Sequence, residues 1–375
     1  MFSIYVHIPF CLAKCWYCDF HSLPFEKNKI PENEYVRALC KEIDDLAKKY
    51  NLVGREVGSI YFGGGTPSLF KPSSIEVILA ELDKHFSIDS DAEITLEANP
   101  GAINRLERLE QLERLKRLSI GVQSFNDEML TKLGRIHSSK EAVDCFNSAR
   151  GVGFKNVSID LMWGLSGQSV EDLKKDLDKA ISLQPEHISA YQLTVGKSAS
   201  RQVGKSEMLP DEELSREMWI LVHEKLVGAG YEHYEISNYS KKGFRCRHNE
   251  NYWNYGEWLG VGSGAVSSLV ARRSSLVRMT TSKDIDKYLR QEFEYETEEI
   301  SNKNAMAEFC FLGLRQFDGI DLNQFEKRLG ETFEGIYPGL IEKWTSDGYA
   351  KIGDKRLSLT VEGMLISDTL FREFV

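Results

Sequence analysis

Cys11-Leu-Ala-Lys-Cys15-Trp-Tyr-Cys18 follows directly on the apolar run Ile4-Tyr-Val-His-Ile8. Three thiols separated by three residues and then by two do not make a closed zinc site, which takes four ligands, usually as two separated pairs. Iron–sulfur clusters are as a rule also held by four cysteines. A cubane cluster on three thiolates keeps one iron without a protein ligand, and that iron can bind and activate a small molecule. The alternative is three thiols that hold no metal.

Outward from this stretch, short β-rich runs alternate with longer helical patterns as far as about residue 235. The strand candidates are Ile4–Ile8, Ser59–Phe62, Glu93–Ala98, Leu118–Gln123, Val157–Met162 and Ile188–Leu193. Between the first two, Glu32–Asn51 carries Tyr35, Val36, Leu39, Ile43, Leu46 and Tyr50 at helical spacing. The same logic gives helices near Ser73–His85, Ile103–Leu115, Lys140–Arg150, Val170–Leu183 and Asp211–Ala229. Alternation of this kind predicts parallel strands joined by right-handed crossovers. Six units suit a barrel left partly open, although the pattern alone also allows a doubly wound sheet. Residues 237–300 read as a connecting segment, with a Gly-rich stretch at Gly256–Gly264 and an acidic run, Gln291–Glu299, expected as a solvated linker. Residues 301–375 are helix-rich: Asn304–Leu314, a second helix through Leu322, Phe325 and Leu329, and a third over Ile336–Asp347. A small hairpin is expected over Ala350–Leu359, turning at Gly353-Asp354.

Composition narrows the class. The 375 residues include 47 basic and 57 acidic side chains, a net charge of −10, which argues against a nucleic-acid surface. Of seven cysteines, Cys40, Cys145, Cys246 and Cys310 are scattered singly and read as small buried hydrophobes. That usage fits a reducing compartment better than a disulfide scaffold. No signal peptide is evident and no run approaches the length of a membrane span, so a cytoplasmic protein is expected.

The CxxxCxxC spacing resembles the signature of the radical S-adenosylmethionine (SAM) proteins. Tyr5-Val-His-Ile-Pro-Phe-Cys11 before it and Asp19-Phe20 after it resemble the oxygen-independent coproporphyrinogen oxidase group, and within that group its heme-chaperone branch. The resemblance implies an α/β fold: residues 1–236 as a partial (β/α)6 TIM-type barrel, and residues 301–375 as a smaller winged-helix-like C-terminal domain. It also implies a 4Fe-4S cluster on Cys11, Cys15 and Cys18, with SAM chelating the open iron.

In a parallel α/β barrel, function collects at the C-terminal ends of the strands. Tyr61-Phe-Gly-Gly-Gly-Thr-Pro-Ser68 follows the second strand, where glycines let backbone approach a ligand. The resemblance assigns Gly64, Gly65 and Thr66 to SAM, together with Glu97, Gln123, Arg135 and Asp160. Arg135 can pair with a carboxylate, Gln123 can donate and accept, and Asp160 could receive two ribose hydroxyls. Tyr5 and Tyr17, flanking the motif, are implied near SAM as well. Gly260-Val-Gly-Ser-Gly264 lacks the GxGxxG spacing of a dinucleotide site and reads as a close-packed turn.

A second constellation, Cys246-Arg-His-Asn-Glu-Asn-Tyr-Trp253, matches an HNxxYW pattern associated with heme binding in the chaperone branch. It implies His248 as the heme ligand, since imidazole is a common proximal ligand of heme iron, with Cys246 as another candidate. Phe20 stands where the decarboxylases carry a fourth Cys, which speaks against decarboxylation. Val266, in Gly262-Ser-Gly-Ala-Val-Ser267, departs from the His common in the chaperone branch. The reading is a heme chaperone that passes heme to an acceptor protein, including acceptors held at a membrane, with a reductant such as flavodoxin or ferredoxin. Oxidative decarboxylation of coproporphyrinogen III and RNA modification are the other readings.

Overall fold

The computed structural model describes residues 1–101, 112–194, 209–270 and 276–374. Six parallel strands run through the N-terminal part: β1 (Phe2–Ile8), β2 (Glu56–Gly64), β3 (Ser87–Ala98), β4 (Arg117–Gln123), β5 (Val157–Trp163) and β6 (His187–Gln192). They lie side by side in chain order. Crossovers that always step the same way are the winding of a barrel wall, so the doubly wound alternative is excluded. Helices α1 (Glu32–Lys49), α2 (Pro72–His85), α3 (Ser139–Gly151), α4 (Val170–Leu183) and α5 (Glu212–Gly228) occupy the crossovers within a turn of the expected bounds. The helix expected over Ile103–Leu115 falls mostly on residues 102–111, outside the described residues.

Each strand divides its residues between two faces. On β1, Phe2, Ile4, Val6 and Ile8 join the main apolar cluster with helix residues such as Leu39 and Leu79. The alternate residues are polar: Ser3, Tyr5 and His7 on β1, then Ser59 and Tyr61, Glu93, Thr95 and Glu97, Arg117 and Ser119, Ser158 and Asp160, and His187, Ser189 and Tyr191. They meet across the strands, as in Ser59 Oγ to Ser3 Oγ (2.8 Å) and Ser158 Oγ to His187 Nδ1 (2.8 Å). The barrel interior is therefore polar, and the site is one end of it.

The stretch 237–300 does more than connect. β7 (Glu232–Glu235), just before the stretch, and its own β8 (Asn238–Ser240), which pairs with β6, extend the sheet beyond β6. β9 (Glu257–Val261) pairs in parallel with β1 on the other side, and β10 (Val266–Val270), β11 (Leu276–Thr281) and β12 (Tyr295–Ile300) follow it antiparallel. The acidic run expected as a linker is thus largely edge strand β12. Its exposed Glu296, Glu298 and Glu299 deter pairing with another chain. In the Gly-rich stretch, Gly260 lies within β9, where a Cβ would sit 2.2 Å from the Val266 carbonyl oxygen, and the turn itself holds Gly262 and Gly264 at positive φ. In the C-terminal part, helices Asn302–Gly313 and Leu322–Leu329 and the hairpin Ala350–Gly353/Arg356–Leu359 match expectation, with Ile320–Asp321 as a third strand. The helix expected over Ile336–Asp347 is instead a short helix Phe333–Ile336 and, past Pro338 and a left-handed Gly339, a second over Leu340–Ser346.

Candidate functional site

The cysteine loop is pinned at its base. Phe10–Cys11 pairs with Leu23–Pro24, Leu23 N donating to Pro9 O (2.7 Å) and Phe25 N to Cys11 O (2.8 Å). Phe10 anchors the start of the loop, buried against the rings of Phe25, Tyr35 and Phe70. Within the loop Cys18 N reaches Cys15 O (3.2 Å), a turn that brings the second and third thiols round together. All seven cysteines are free, and Cys11, Cys15 and Cys18 are half-buried.

The glycine segment after β2 closes onto this loop. Gly65 N donates to Ile8 O (2.9 Å) and Thr66 N to Phe10 O (2.8 Å). A Cβ on Gly65 would lie 2.7 Å from the Pro9 and Phe10 backbone, so only glycine fits. Gly65→Ala should destabilise the protein by about 1–3 kcal/mol, the usual cost of forcing extra atoms into close packing. Thermal melts check this, and an unchanged midpoint would mean the contact yields freely.

The three thiols share a cavity of about 140 Å³ with Gly64, Gly65, Glu97, Gln123, Arg135 and Asp160, and Tyr17 also lines it. Glu97 accepts from Tyr61 Oη (3.0 Å) and Gly64 N (3.1 Å). Burial, and then repulsion from Asp160, pushes its carboxyl up to about 7. Asp160 accepts from Ser119 Oγ (3.0 and 3.2 Å) and Ser158 Oγ (3.3 Å), and burial raises it too. Arg135 donates to Gly121 O (2.8 Å), to Asn99 Oδ1 and toward Cys15 Sγ (3.7 Å), while its buried Nε has no partner. Thr66 links the parts, its Oγ1 touching Cys11 Sγ (3.5 Å) and accepting from Asn99 Nδ2 (2.6 Å). Gln123 sits at φ 69°, a strained conformation for a residue with a side chain. Its Oε1 accepts from Tyr191 Oη (2.7 Å).

The cavity thus carries two carboxylates held above their usual range and one guanidinium. A ligand bearing cationic centres and a carboxylate would relieve all three.

Comparison with known proteins agrees with this geometry. A family model described as the Radical SAM superfamily matches residues 5–180, and one for the HemN C-terminal domain matches residues 300–366. The chain is 39% identical to the heme chaperone HemW of Haemophilus influenzae over 88% of this chain and 86% of that one. It is 34% identical to HemW of Escherichia coli K12 over all of this chain and 98% of the relative. The chain belongs to the HemW family. In fold, it superposes on the radical SAM enzyme coproporphyrinogen III oxidase (HemN) of E. coli with a TM-score of 0.83, at 23% identity over all of this chain and 89% of that one.

As a HemW-family member with a radical SAM domain, the chain is expected to use a 4Fe-4S cluster and SAM. The residues present fit both. Cys11, Cys15 and Cys18 line one cavity, and a cubane cluster takes each thiolate on a different iron. SAM carries an amino group, a carboxylate, a sulfonium and two ribose hydroxyls: Glu97 can accept from the amino group, Arg135 can pair with the carboxylate, and Asp160 can receive the ribose hydroxyls.

Two expectations need correction. Tyr5 does not line the shared cavity: its hydroxyl bonds His7 Nδ1 (3.1 Å) and its ring borders a separate cleft. His248, expected to ligate heme, is 1% exposed. It lies on α6 (Arg247–Trp253), with Nδ1 against Ser59 Oγ (3.0 Å) and Nε2 against Tyr252 Oη (2.8 Å). Both ring nitrogens are engaged, and burial lowers its pKa to about 3. Cys246 is equally enclosed, its thiol raised to about 12 by burial and bonded to Glu93 (3.5 Å). The HNxxYW stretch therefore plugs the barrel rather than offering a donor. Asn99, Ser119 and Tyr191 line the cavity and went unassigned from sequence. Asn99 and Tyr191 follow the rule that had picked out Gln123, polar groups at strand ends.

Proposed function

We propose that this chain binds heme and passes it to an acceptor protein. A 4Fe-4S cluster on Cys11, Cys15 and Cys18 and SAM held by Gly64, Gly65, Thr66, Glu97, Gln123, Arg135 and Asp160 stand beside the heme. The observation that carries the reading is Phe20. Where a fourth thiol would serve porphyrinogen decarboxylation, the chain has an apolar ring that is 71% exposed beside the cluster loop. The relatives named heme chaperones support the same choice. Free thiols throughout suit a reducing cytoplasm, and a flavodoxin- or ferredoxin-type donor would supply electrons to the cluster. Among the described residues no helix is long and apolar enough to cross a membrane.

Anaerobically reconstituted protein should bind hemin stoichiometrically, read from the Soret band. Given coproporphyrinogen III, SAM and a reductant, it should form no decarboxylated porphyrin. Product at catalytic turnover without hemin binding would reverse the assignment in favour of the decarboxylase.

A further inference from the structure

Phe20 borders two spaces. One is the cavity holding the three thiols. The other is a mostly apolar cleft of about 350 Å³ between the cysteine loop, the C-terminal end of β1 and the turn into β10. Tyr252, Trp258 and Val266 form its walls, Lys283 stands in its lining, and His21 contributes an imidazole.

His21 is held like a donor. Its backbone oxygen accepts from His7 Nε2 (2.8 Å), and the two rings stack at 5.8 Å and 16°. Ser263 Oγ donates to Ser282 O (3.1 Å), so its contact with His21 Nε2 (3.1 Å) is one in which the imidazole donates. The tautomer then puts the proton on Nε2 and the lone pair on Nδ1, which has no partner among the described residues. A second hydrogen bond of this kind on the far nitrogen is how proteins orient a metal-binding histidine. Burial, with Lys283 and Lys14 nearby, lowers the ring to about 4, so it is neutral at physiological pH. His248, by contrast, has no nitrogen to offer and acts behind the wall, fixing the Tyr252 hydroxyl.

We propose that this cleft is the porphyrin site: it takes an anionic, planar metalloporphyrin with His21 as the axial ligand, Phe20 and Trp258 against the macrocycle and Lys283 pairing with a propionate. The proposal rests on the heme reading and specifies where the heme sits, one side chain away from the SAM cavity.

The test uses the full chain with its cluster reconstituted, titrated with hemin and, separately, with iron-free protoporphyrin IX. Wild type and His248→Ala should give the same nitrogen-ligated Soret spectrum. His21→Ala should bind hemin at least tenfold more weakly, recover the spectrum on adding imidazole, and bind iron-free protoporphyrin as wild type does. Lys283→Glu, an exposed change that leaves folding intact, should weaken both ligands several-fold. Retention of the wild-type spectrum and affinity in His21→Ala, with their loss in His248→Ala, would overturn the site while leaving the heme reading standing. A wild type that binds no hemin would overturn the heme reading itself.

Discussion

Glu97→Gln should make the ligand-free protein more stable at pH 8, by about 3 kcal/mol, while weakening SAM binding at least tenfold. The first effect follows from the carboxyl being held near 7 against an ordinary value of 4.5, with burial the main cause and Asp160 the second. A shift of this size corresponds to about 3 kcal/mol. The folded-state value is raised, so the carboxyl's contribution to stability is fully present below pH 4.5. It is lost as pH rises from 4.5 through 7. Above pH 7 the native state carries a buried charge that the unfolded chain holds in water. Glutamine is permanently in the neutral form, with one acceptor oxygen for Tyr61 or Gly64 as in the protonated acid. Denaturation midpoints for the two proteins should therefore diverge from pH 5 to pH 8 and coincide near pH 4.5. A gap that does not change with pH, or a wild type more stable at pH 8, would show that Glu97 is not a strained group.

The second effect has the same origin. The charge that destabilises the empty site is the charge a cationic ligand would meet, so removing it trades affinity for stability. Calorimetric titration of SAM into reconstituted Glu97→Gln and wild type measures this. Equal affinities would place the SAM amino group and sulfonium elsewhere in the cavity.

Much of this site could be read before the fold was known, for a physical reason. The three thiols, the glycine segment and Asp160 are local features: a spacing, a run and a carboxylate inside a strand. In a barrel wound in chain order, local features at successive strand ends converge without further instruction. The alternation of polar residues along all six strands was equally visible, as in Ser3-Ile-Tyr5-Val-His7 and Glu93-Ile-Thr-Leu-Glu97, and it announces a polar interior. What could not be read was depth. His248 and His21 are each one imidazole in an aromatic-rich stretch. Only the distance to Ser59, 189 residues away, shows the first to be sealed, and only Ser263, 242 residues away, sets the second one's tautomer. The strands of 257–300 were missed for a related reason. β9 finds its partner at the chain's start, and β12 is an edge strand whose exposed acidic residues look like a linker.

Glu42→Ala should cost about 4 kcal/mol, lowering the melting midpoint by roughly 5 °C or more. Glu42 lies on the inner face of α1, three residues beyond Leu39 and four before Leu46, and it is fully buried. Its oxygens accept from Tyr288 Oη (2.6 Å), Gly262 N (2.7 Å) and Thr281 Oγ1 (3.1 Å). Those donors belong to the helix after β11, the turn after β9, and β11 itself. One carboxyl thus ties the strands that extend the sheet to the first barrel helix. Burial raises its pKa, so the carboxyl is costly to keep. Its removal costs more, because three buried donors then lack an acceptor at about 1–3 kcal/mol each, offset in part by losing the desolvated acid. Glu42→Gln keeps one acceptor but turns an amide toward another donor, so its midpoint should fall between wild type and Glu42→Ala. The turn held by Gly262 also positions Ser263 against His21. Glu42→Ala should therefore disturb the hemin Soret band under conditions where the protein is still folded, while Glu42→Gln disturbs it less. If Glu42→Ala melts within a degree of wild type, the anchor is not where the stability of this segment resides.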